Sequence, residues 1–505
     1  MRDSPLNLSP EEFRRLGHRL VDLIGDFLES LPQRPVFPGD TPGSVRAILG
    51  ARPLPEFGRE AGELLEETAA LLFDHSLLTG HPRHLAYIIG SPAPLSGLAD
   101  LLAAAVDPNV SSWWRSAMAT EIEVQTVRWI AELVGFPTDC GGLLVSGGSL
   151  ANDIGLLAAR TARAPWPVRA QGLVAGGCQP LRLYASDQTH VWIEKAADIY
   201  GLGTDAIRRI PSDQDQRIDL TALRKAILRD RQQGDFPLMV VGNAGTTASG
   251  ALDPLHELAD LCQEEDLWFH IDGAYGAFAA LLPDAPPELT ALNRADSLAL
   301  DPHKWLYQPL EAGCALVREA NLLRQAFTYQ PPYYHFPVAE GEEPVNFFQY
   351  SPQNSRGFRA LKVWLSLQQA GRQGYQRMLA EDIRLAKNLY ELVQTQTELQ
   401  AFTHNLSITT FRYVPPELRP WVDGAAPEAL PPGFTDRAEI EAYLNRLNDA
   451  LLARLQTGRE VYLSNAVLEG TFLLRACIVN FRTSQADIEA IPEIVVRVGR
   501  SIHRP

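Results

Sequence analysis

The residue of this sequence best suited to covalent chemistry is Lys304, which follows the apolar, strand-like stretch Ser297–Leu300 and stands between a histidine and a tryptophan. A lysine amine in such a place can condense with an aldehyde cofactor to form a Schiff base. A second apolar stretch, Leu267–Asp272, ends in a carboxylate that should reach the same edge of a sheet. Pyridoxal phosphate needs both groups, because its aldehyde condenses with a lysine and its ring nitrogen stays protonated against an anionic carboxylate. The two strand ends therefore predict a pyridoxal phosphate site.

Two further segments carry groups that suit the same cofactor. Residues Gly142–Asn152 read as a strand, a glycine-rich turn and the opening of a helix. Such a turn offers backbone N–H groups and serine hydroxyls to a phosphate at the positive end of a helix dipole. His190 follows another strand-like run, Leu183–Ser186. Either segment alone is weak evidence, since Gly-Gly turns mostly serve backbone geometry and an isolated histidine is more often structural. Four such groups at successive strand ends make coincidence a poor explanation.

With these motifs the chain resembles the fold-type I pyridoxal phosphate enzymes, and specifically the group II amino-acid decarboxylases typified by aromatic-L-amino-acid decarboxylase. The resemblance runs from about His81 to the C-terminus, and its most specific motifs are Asp301–Trp305, His270–Tyr275, Ser186–His190 and Gly245–Thr247.

This resemblance implies a role for each candidate cofactor residue. Lys304 would form the Schiff base, Asp272 would pair with the pyridinium, and His190 would stack on one face of the ring. The remaining cofactor contacts would be Ala274 on the opposite ring face, Gly148 and Ser149 at the phosphate, and Thr246 and His303 along the site. Asp301 stands where the animal enzymes carry asparagine. Since a carboxylate is a poorer phosphate partner than an amide, no phosphate role is assigned to it.

A tyrosine- and proline-rich segment, Phe327–Gln349, fits neither the helix nor the strand period. Long irregular segments within compact domains are often lids, although a disordered surface loop has a similar composition. The resemblance implies that Tyr333 protonates Cα after carbon dioxide leaves, with Tyr334 as the alternative. In resembling enzymes that form aldehydes, this tyrosine or the stacking histidine is replaced. This chain keeps both Tyr333 and His190.

The implied activity is decarboxylation of an L-amino acid to its amine, with an aromatic amino acid favoured. Segment His81–Gly90 matches the substrate side of the family, with Tyr87 on a tyrosine position and Ile88 replacing an aromatic residue. Segment Asn109–Arg115, which includes Trp114, matches the one that reaches across the dimer into the neighbouring pocket.

Two arginines leave the substrate open. Arg115 could hold the side-chain carboxylate of glutamate, aspartate or sulfinoalanine, or it could form a salt bridge with Glu121 or Glu123. Arg482 could meet a substrate carboxylate or only support the C-terminal domain.

Two other functions use the same residues differently. A transaminase or an aldehyde-forming enzyme would keep the fold and cofactor but change the product. A non-catalytic binding protein would be a decayed form of the fold, but such a protein has no need to retain Lys304, Asp272 and the Gly148–Ser149 turn together.

Composition agrees with a soluble metabolic enzyme. A formal net charge of −16 disfavours a nucleic-acid partner. No apolar run reaches the length of a membrane span, and the N-terminus lacks the order of a secretory signal. The five cysteines are widely spread without a Cys-x-x-Cys pair, which predicts neither a disulfide framework nor a metal site and favours the cytoplasm.

The order of elements predicts an α/β fold of type I with a mostly parallel central sheet flanked by helices. We divide the chain into an N-terminal helical segment (1–90), a large pyridoxal phosphate domain (91–390) and a small C-terminal α+β domain (391–505). A helix starting at the Ser9-Pro10 cap carries an apolar stripe, and the resemblance implies that this segment embraces the partner of a homodimer. The proline-rich stretch Val414–Asp436 is predicted to be a surface loop.

Overall fold

The computed structural model describes residues 4–173, 179–329, 344–424 and 430–503. Within these ranges the chain builds one seven-stranded sheet and one four-stranded sheet, each covered by helices. The helices are α1 Pro10–Ser30, α2 Pro42–Leu49, α3 Ala61–Asp74, α4 Pro94–Val106, α5 Ala117–Leu133, α6 Gly148–Arg163, α7 Val168–Gln171, α8 Trp192–Ile199, α9 Leu220–Gln232, α10 Leu255–Glu264, α11 Pro302–Trp305, α12 Ala320–Phe327, α13 Ala360–Thr395, α14 Arg419–Val422, α15 Arg437–Thr457 and α16 Gln485–Ile502.

The large sheet has the strand order β1-β7-β6-β5-β4-β2-β3. Its strands are β1 Gly141–Val145, β2 Leu181–Ser186, β3 Ile207–Ile210, β4 Phe236–Asn243, β5 Trp268–Asp272, β6 Ser297–Leu300 and β7 Gly313–Val317. Neighbours are parallel from β3 to β6, whereas β7 is antiparallel to both β6 and β1. Helices cover both faces, so the central strands are apolar and buried throughout. The predicted α/β fold with a mostly parallel sheet is confirmed.

The direction of the strands brings the candidate residues to one edge. Strands β2, β4, β5 and β6 run the same way, and their carboxyl ends lead into His190, Thr246, Asp272 and Lys304. Strand β7 runs opposite to both neighbours, so β1 also points in the common direction. Its end at Val145 delivers the glycine-rich turn to the same edge. Ligands bind at such an edge in parallel α/β sheets.

The small sheet has the order β10-β11-β9-β8, with antiparallel neighbours. Its strands are β8 Leu399–Asn405, β9 Ile408–Tyr413, β10 Ser464–Leu468 and β11 Thr471–Cys477. Helices α13, α15 and α16 pack on it around an apolar core that includes Leu389, Phe411 and Leu451. Helix α13 continues past residue 390, where we had divided the domains, and breaks its helical geometry at Gly371.

One predicted loop has a core of its own. In the described part of Val414–Asp436, Leu418 and Trp421 are buried and pack with Ile440 and Leu444 of α15. The prediction of a surface loop is wrong for these residues. Of the prolines that suggested a loop, one starts the short helical turn before α14 and another lies in the first turn of α14 itself.

The N-terminal helix begins where its cap predicts. The Ser9 hydroxyl accepts a hydrogen bond from the Glu12 N–H at 3.1 Å, and Pro10 occupies the first helical position. Along its apolar stripe Leu16 is buried, whereas Phe13 and Ile24 are exposed at 55% and 39%. Among the described residues, part of the stripe therefore has no covering partner.

Candidate active site

A cavity of about 420 Å³ opens at the carboxyl edge of the large sheet and holds every residue that we predicted to contact the cofactor. Its described lining comprises Ser146, Gly147, Gly148, Ser149, Leu150, Asn152, His190, Asn243, Gly245, Thr246, Thr247, Asp272, Ala274, Tyr275, Asp301, His303, Lys304 and Glu311. These residues come from five strand ends and one helix start. The sheet therefore assembles in space what the sequence spreads over more than 150 residues.

Lys304 lies in the short helix α11, directly after β6. Its Nζ is 3.0 Å from Asp301 Oδ2, and the side chain is 22% exposed, so the amine faces the cavity beside a carboxylate. Gly90 lies against the carbonyl oxygen of Lys304, where a Cβ on Gly90 would come within 2.2 Å of that atom. The chain before α4 thus fixes the backbone from which the lysine projects.

Asp272 ends β5 and is held by two donors. Its Oδ1 accepts from the Ala274 N–H at 3.2 Å, and its Oδ2 accepts from Asn152 Nδ2 at 3.3 Å. Burial raises the pKa of this carboxyl, while the positive charge of Lys304 and the Ala274 N–H oppose that rise. A cation arriving at Asp272 would offset the cost of its burial.

Asn152 belongs to a polar chain that continues into the sheet. Its Oδ1 lies 2.6 Å from His270 Nε2, and His270 Nδ1 lies 2.7 Å from Ser297 Oγ. The Trp268 indole N–H donates to the same Ser297 oxygen at 2.8 Å. Burial lowers the pKa of His270 to about 3, so its ring is neutral.

The hydrogen bonds of this polar network all run in one direction. Ser297 donates to His270 Nδ1, His270 Nε2 donates to the Asn152 carbonyl, and the Asn152 amide donates to Asp272. Each group therefore fixes the orientation of the next one. Asn152 and His270 thus aim the carboxylate, although the sequence analysis gave neither a role. The sequence signal for Asn152 was a polar residue one helical turn after Gly148, on the otherwise apolar buried face of helix α6.

His190 stands at the mouth of the cavity after β2. Its Nδ1 accepts from the Trp192 N–H at 3.2 Å, which leaves the proton on Nε2 in the neutral ring. Although the residue is exposed overall, partial burial of the ring lowers its pKa, and the charge of Lys304 acts in the same direction. A neutral, flat imidazole suits stacking against an aromatic cofactor.

The glycine-rich turn forms the wall opposite Asp272. The first hydrogen bond of α6 runs from the Ala151 N–H to the Gly147 carbonyl, so the N–H groups of the three preceding residues point out of the helix end. A Cβ at Gly148 would lie 2.7 Å from Asp301 Oδ2 and 3.1 Å from Ala274 Cβ. Glycine therefore allows Asp301 and Ala274 to approach the turn this closely. An anion is favoured at such a helix end.

Comparison with known proteins identifies the family. The sequence model of the pyridoxal-dependent decarboxylase conserved domain matches residues 49–414. The chain belongs to the pyridoxal-dependent decarboxylase family. Along 96% of its length it is 35% identical to the aromatic-L-amino-acid decarboxylase of Bacillus atrophaeus, covering 94% of that protein. It is also 27% identical to the phenylacetaldehyde synthase of Petunia hybrida, over 93% of this chain and 91% of that one.

A solved structure supports both fold and cofactor. The crystal structure of Oryza sativa TDC with PLP and tryptamine superimposes with a TM-score of 0.88 at 26% identity, covering 100% of both chains. The protein is thus a pyridoxal phosphate-dependent amino-acid decarboxylase, as predicted. The cavity fits this cofactor, because it offers an amine at Lys304, an anion at Asp272 and an open helix end at Gly148.

Within a single chain of this decarboxylase, the four predicted substrate residues are not part of the cavity lining. Tyr87 is 48% exposed and adopts a left-handed backbone conformation (φ 57°), held by an N–H···O bond from Arg475 to its carbonyl at 3.0 Å. Ile88 is buried in the main core. Trp114 packs edge-on against Trp113, and Arg115 borders a separate hollow beside α4.

Arg115 and Arg482 each contact residues that the sequence analysis did not name as their partners. Arg115 Nη1 lies 3.4 Å from Ser111 Oγ. Glu121 instead accepts from the Trp113 indole N–H at 2.8 Å. Arg482 donates to the Ser91 hydroxyl and to the Pro92 carbonyl. It joins the C-terminal domain to the segment before α4.

Glu123 forms a fully buried ion pair with Arg356. The Glu123 carboxylate also accepts from the Leu144 N–H at 2.9 Å, and Arg356 donates to the carbonyls of Leu144 and Val110. This pair anchors β1 immediately before the glycine-rich turn.

Tyr333 and Tyr334 lie outside the described residues, so the loop acid stays a prediction. Within the described ranges, no helix combines the length and apolar composition that a membrane crossing requires. Those ranges also contain no group of three or more side chains placed to hold a metal ion.

Proposed function

We propose that this decarboxylase acts on an aromatic L-amino acid and releases carbon dioxide and the aromatic amine. The charge of the cavity supports this substrate class. Among the described lining residues Lys304 is the sole lysine, and no arginine is present. Burial lowers the pKa values of His190 and His303, so neither ring supplies a lasting positive charge. A second substrate carboxylate would be buried there without a counter-ion, which is costly.

The relatives point in the same direction. The 35% identity to the aromatic-L-amino-acid decarboxylase of Bacillus atrophaeus extends over nearly the whole chain. The similar Oryza sativa structure contains tryptamine, the amine of an aromatic amino acid.

The lining residues divide the chemistry among themselves. When bound, pyridoxal phosphate accepts the electrons of the bond that breaks at Cα. Asp272, held by its two donors, would keep the ring nitrogen protonated and stabilise the charge that develops. His190 would stack on the ring and hold the leaving carboxylate perpendicular to it. Lys304 would exchange with the substrate amine and later release the product.

The protonation that follows decides between amine and aldehyde. We propose Tyr333 as the acid that delivers a proton to Cα, a role that typically contributes about 10²–10⁴-fold. Its neighbour Tyr334 is the alternative. The similarity to a phenylacetaldehyde synthase makes this choice testable, since the Tyr333→Phe variant should shift products from amine towards aldehyde. An unchanged amine yield would move the role to Tyr334 or to another residue.

We further propose that the enzyme works as a homodimer with the active site at the interface. Exposed apolar side chains support this assembly, among them Phe13 of α1, Leu101 and Val106 of α4, and Met118 of α5, each at least half exposed. In such a dimer Trp114 and Arg115 would reach the cavity of the partner, where Tyr87 would also contact substrate and Ile88 would support it from the core.

Intersubunit complementation tests this arrangement. Mixed dimers of Lys304→Ala chains and chains carrying Trp114→Ala with Arg115→Ala should contain one restored site and recover activity. If the mixture stays inactive while light scattering shows dimers, these residues do not act across the interface. A monomeric mass would overturn the assembly itself.

We also propose a cytoplasmic location, which the described thiols support. Cys140, Cys262, Cys314 and Cys477 are free, and burial raises the pKa of each one, so they are inert thiols suited to a reducing compartment. This supports a cytoplasmic enzyme.

The substrate is best tested by competition. The cofactor-loaded enzyme would be incubated with an equimolar mixture of aromatic and acidic L-amino acids, and carbon dioxide and new amines would be followed by mass spectrometry, with Lys304→Ala as the inactive control. We expect aromatic amines with stoichiometric carbon dioxide. Amines of glutamate, aspartate or sulfinoalanine would overturn the aromatic proposal and assign Arg115 to the second carboxylate. Aldehyde or keto acid as the main product would instead favour the aldehyde-forming or transaminase chemistry.

A further inference from the structure

Asp301 is a buried carboxylate that the described residues only partly satisfy. Its side chain is 3% exposed. Oδ2 lies 3.0 Å from Lys304 Nζ, whereas Oδ1 is buried without a hydrogen-bond partner. Both oxygens face the glycine-rich turn, since a Cβ at Gly147 would lie 3.9 Å from Oδ1 and a Cβ at Gly148 would lie 2.7 Å from Oδ2. The unpartnered oxygen is therefore directed at the wall that we assign to the phosphate.

The neighbouring histidine does not satisfy this carboxylate. His303 Nδ1 lies 2.8 Å from the Ala312 carbonyl, which can only accept, and 3.3 Å from the Ala312 N–H. The shorter contact places the proton of the neutral ring on Nδ1. Nε2, at 3.7 Å from Asp301 Oδ2, then presents a lone pair to that oxygen and donates to neither oxygen of the carboxylate. Burial lowers the pKa of His303 and so favours this neutral form.

A phosphate monoester brings a second anion to the same place. Above about pH 6 such a group carries close to two negative charges. At the end of α6 it would meet the carboxylate of Asp301 as well as the free N–H groups of the turn. Lys304 is the cation that Asp301 has now, and its amine is the group that condenses with the cofactor aldehyde. Attachment therefore replaces an ammonium that has three N–H groups with a cofactor-bound nitrogen that has one, while it adds an anion.

We propose that Asp301 and the cofactor phosphate share one proton, so that binding of pyridoxal phosphate takes up one proton from solvent. The protonated pair places an O–H donor between two oxygens that would otherwise repel each other. The covalent step does not alter this count. Condensation of the Lys304 ammonium with the aldehyde forms one C–N double bond and releases one water, and the nitrogen keeps its single positive charge.

Other titratable groups around Asp301 could carry a proton and must be separated from it. His303 and Lys304 lie on its own turn, Asp272 and His190 on the facing strand ends, Cys314 on β7, and Glu311 on the cavity rim. The start of α6 contributes no titratable side chain to the lining beside it. These groups remain in an Asp301→Asn variant, so the difference between variant and wild type reports on Asp301.

The test compares two ligands on the full-length apoenzyme. Pyridoxal phosphate and pyridoxal share the aldehyde and ring, but pyridoxal lacks the phosphate. Calorimetry in buffers of different ionisation enthalpy counts the protons taken up on binding at pH 8. The wild type should take up about one proton more with pyridoxal phosphate than with pyridoxal, and Asp301→Asn should abolish that difference.

Affinity should change in parallel. Relative to the variant, the Kd of the wild type for pyridoxal phosphate should rise about tenfold for each pH unit above pH 6, as one linked proton requires. Pyridoxal should show no such trend. Asp296→Asn is the matched control, because it removes one half-buried carboxylate at the opposite end of β6, where Asp296 accepts from the Phe269 N–H at 2.7 Å. It should behave as wild type.

Three results would overturn the proposal. Equal effects of Asp301→Asn on both ligands would show that the carboxylate acts only on Lys304. Proton uptake that persists in Asp301→Asn and disappears in His303→Gln would place the proton on the histidine. Equal uptake of protons with the two ligands by the wild type would refute the shared proton even if the variant did not fold. Because the family establishes the cofactor, these outcomes are independent of the substrate proposal.

Discussion

Replacing Asp272 with asparagine tests whether the charge of this residue or only its shape serves the reaction. Both carboxylate oxygens accept hydrogen bonds, from the Ala274 N–H at 3.2 Å and from the Asn152 amide at 3.3 Å. An introduced amide has one oxygen and one NH₂ group. One of the two existing donors would therefore face another donor, and the charge beside the cofactor ring would be lost.

The size of the effect follows from these contacts. A hydrogen bond to a charged group contributes about 1.5–3 kcal/mol. An ion pair at about 4 Å contributes roughly 4 kcal/mol at the effective dielectric constant of about 20 found in proteins. The charge term acts mainly in the transition state, where electrons enter the ring, so it should appear in kcat. We expect Asp272→Asn to lower kcat by about 10²–10³-fold, with a smaller effect on cofactor affinity.

A paired exchange separates the two contributions. Adding Asn152→Asp to Asp272→Asn restores one donor and one acceptor at the 3.3 Å contact and returns one negative charge to the cavity wall. The introduced carboxylate still accepts from His270, as the Asn152 carbonyl does at 2.6 Å. The double variant should regain cofactor affinity and thermal stability but only part of kcat, because its charge lies farther from the ring nitrogen.

The assay is release of carbon dioxide in a single turnover, with bound cofactor quantified by its absorbance. Asp272→Glu serves as the charge-conserving control and should retain more activity than Asp272→Asn. If Asp272→Asn keeps kcat within about threefold of wild type, the pyridinium is not stabilised by this carboxylate. If the loss disappears at saturating cofactor, the residue serves binding alone.

Three further predictions concern the cofactor site and its support. Lys304→Ala should retain no cofactor on the chain after borohydride reduction, as measured by intact mass; a retained adduct would move the attachment to another lysine. Gly148→Ala should raise the Kd for the cofactor about tenfold or more, because its methyl group would lie 2.7 Å from a carboxylate oxygen. Gly147→Ala, whose Cβ meets nothing closer than 3.3 Å, should change the Kd by less than about threefold, and equal effects would contradict the assigned phosphate wall. Burial raises the pKa of Asp382 from 3.8 to about 7, so the folded state binds this proton more tightly and loses stability as pH rises from about 4 to 7. Asp382→Asn should flatten the thermal stability profile in that window by about 1.4 kcal/mol per pH unit, and an unchanged slope would refute the assignment.

The strand ends could be predicted because their chemistry and their position coincide in the sequence. Asp272 and Lys304 each follow a short apolar run, and parallel strands bring such ends to one edge. Asn152 and His270 have no comparable local signal. Their role arises from a hydrogen-bonded chain between α6 and two strands, which exists only after the helix packs on the sheet.

Two strands of the small sheet carry little signal in the sequence for a related reason. Strand β10 alternates buried and exposed residues, but Val467 is apolar and points outward, which hides the period. Strand β8 is only partly buried over most of its length, so it lacks an apolar run.

Asp272 and Asp301, two buried carboxylates of the cavity, differ in their hydrogen-bond partners. Asp272 has a donor on each oxygen, and its support ends in the neutral His270, so it is built to stay anionic and to meet a cation. Asp301 has one oxygen without a donor and one held by the amine that the reaction uses. The cofactor is a cation at its ring nitrogen and an anion at its phosphate. We therefore infer that the hydrogen bonds of the two residues orient the cofactor. Its ring nitrogen meets the anion at Asp272, and its phosphate end, near Asp301, gains a proton on binding.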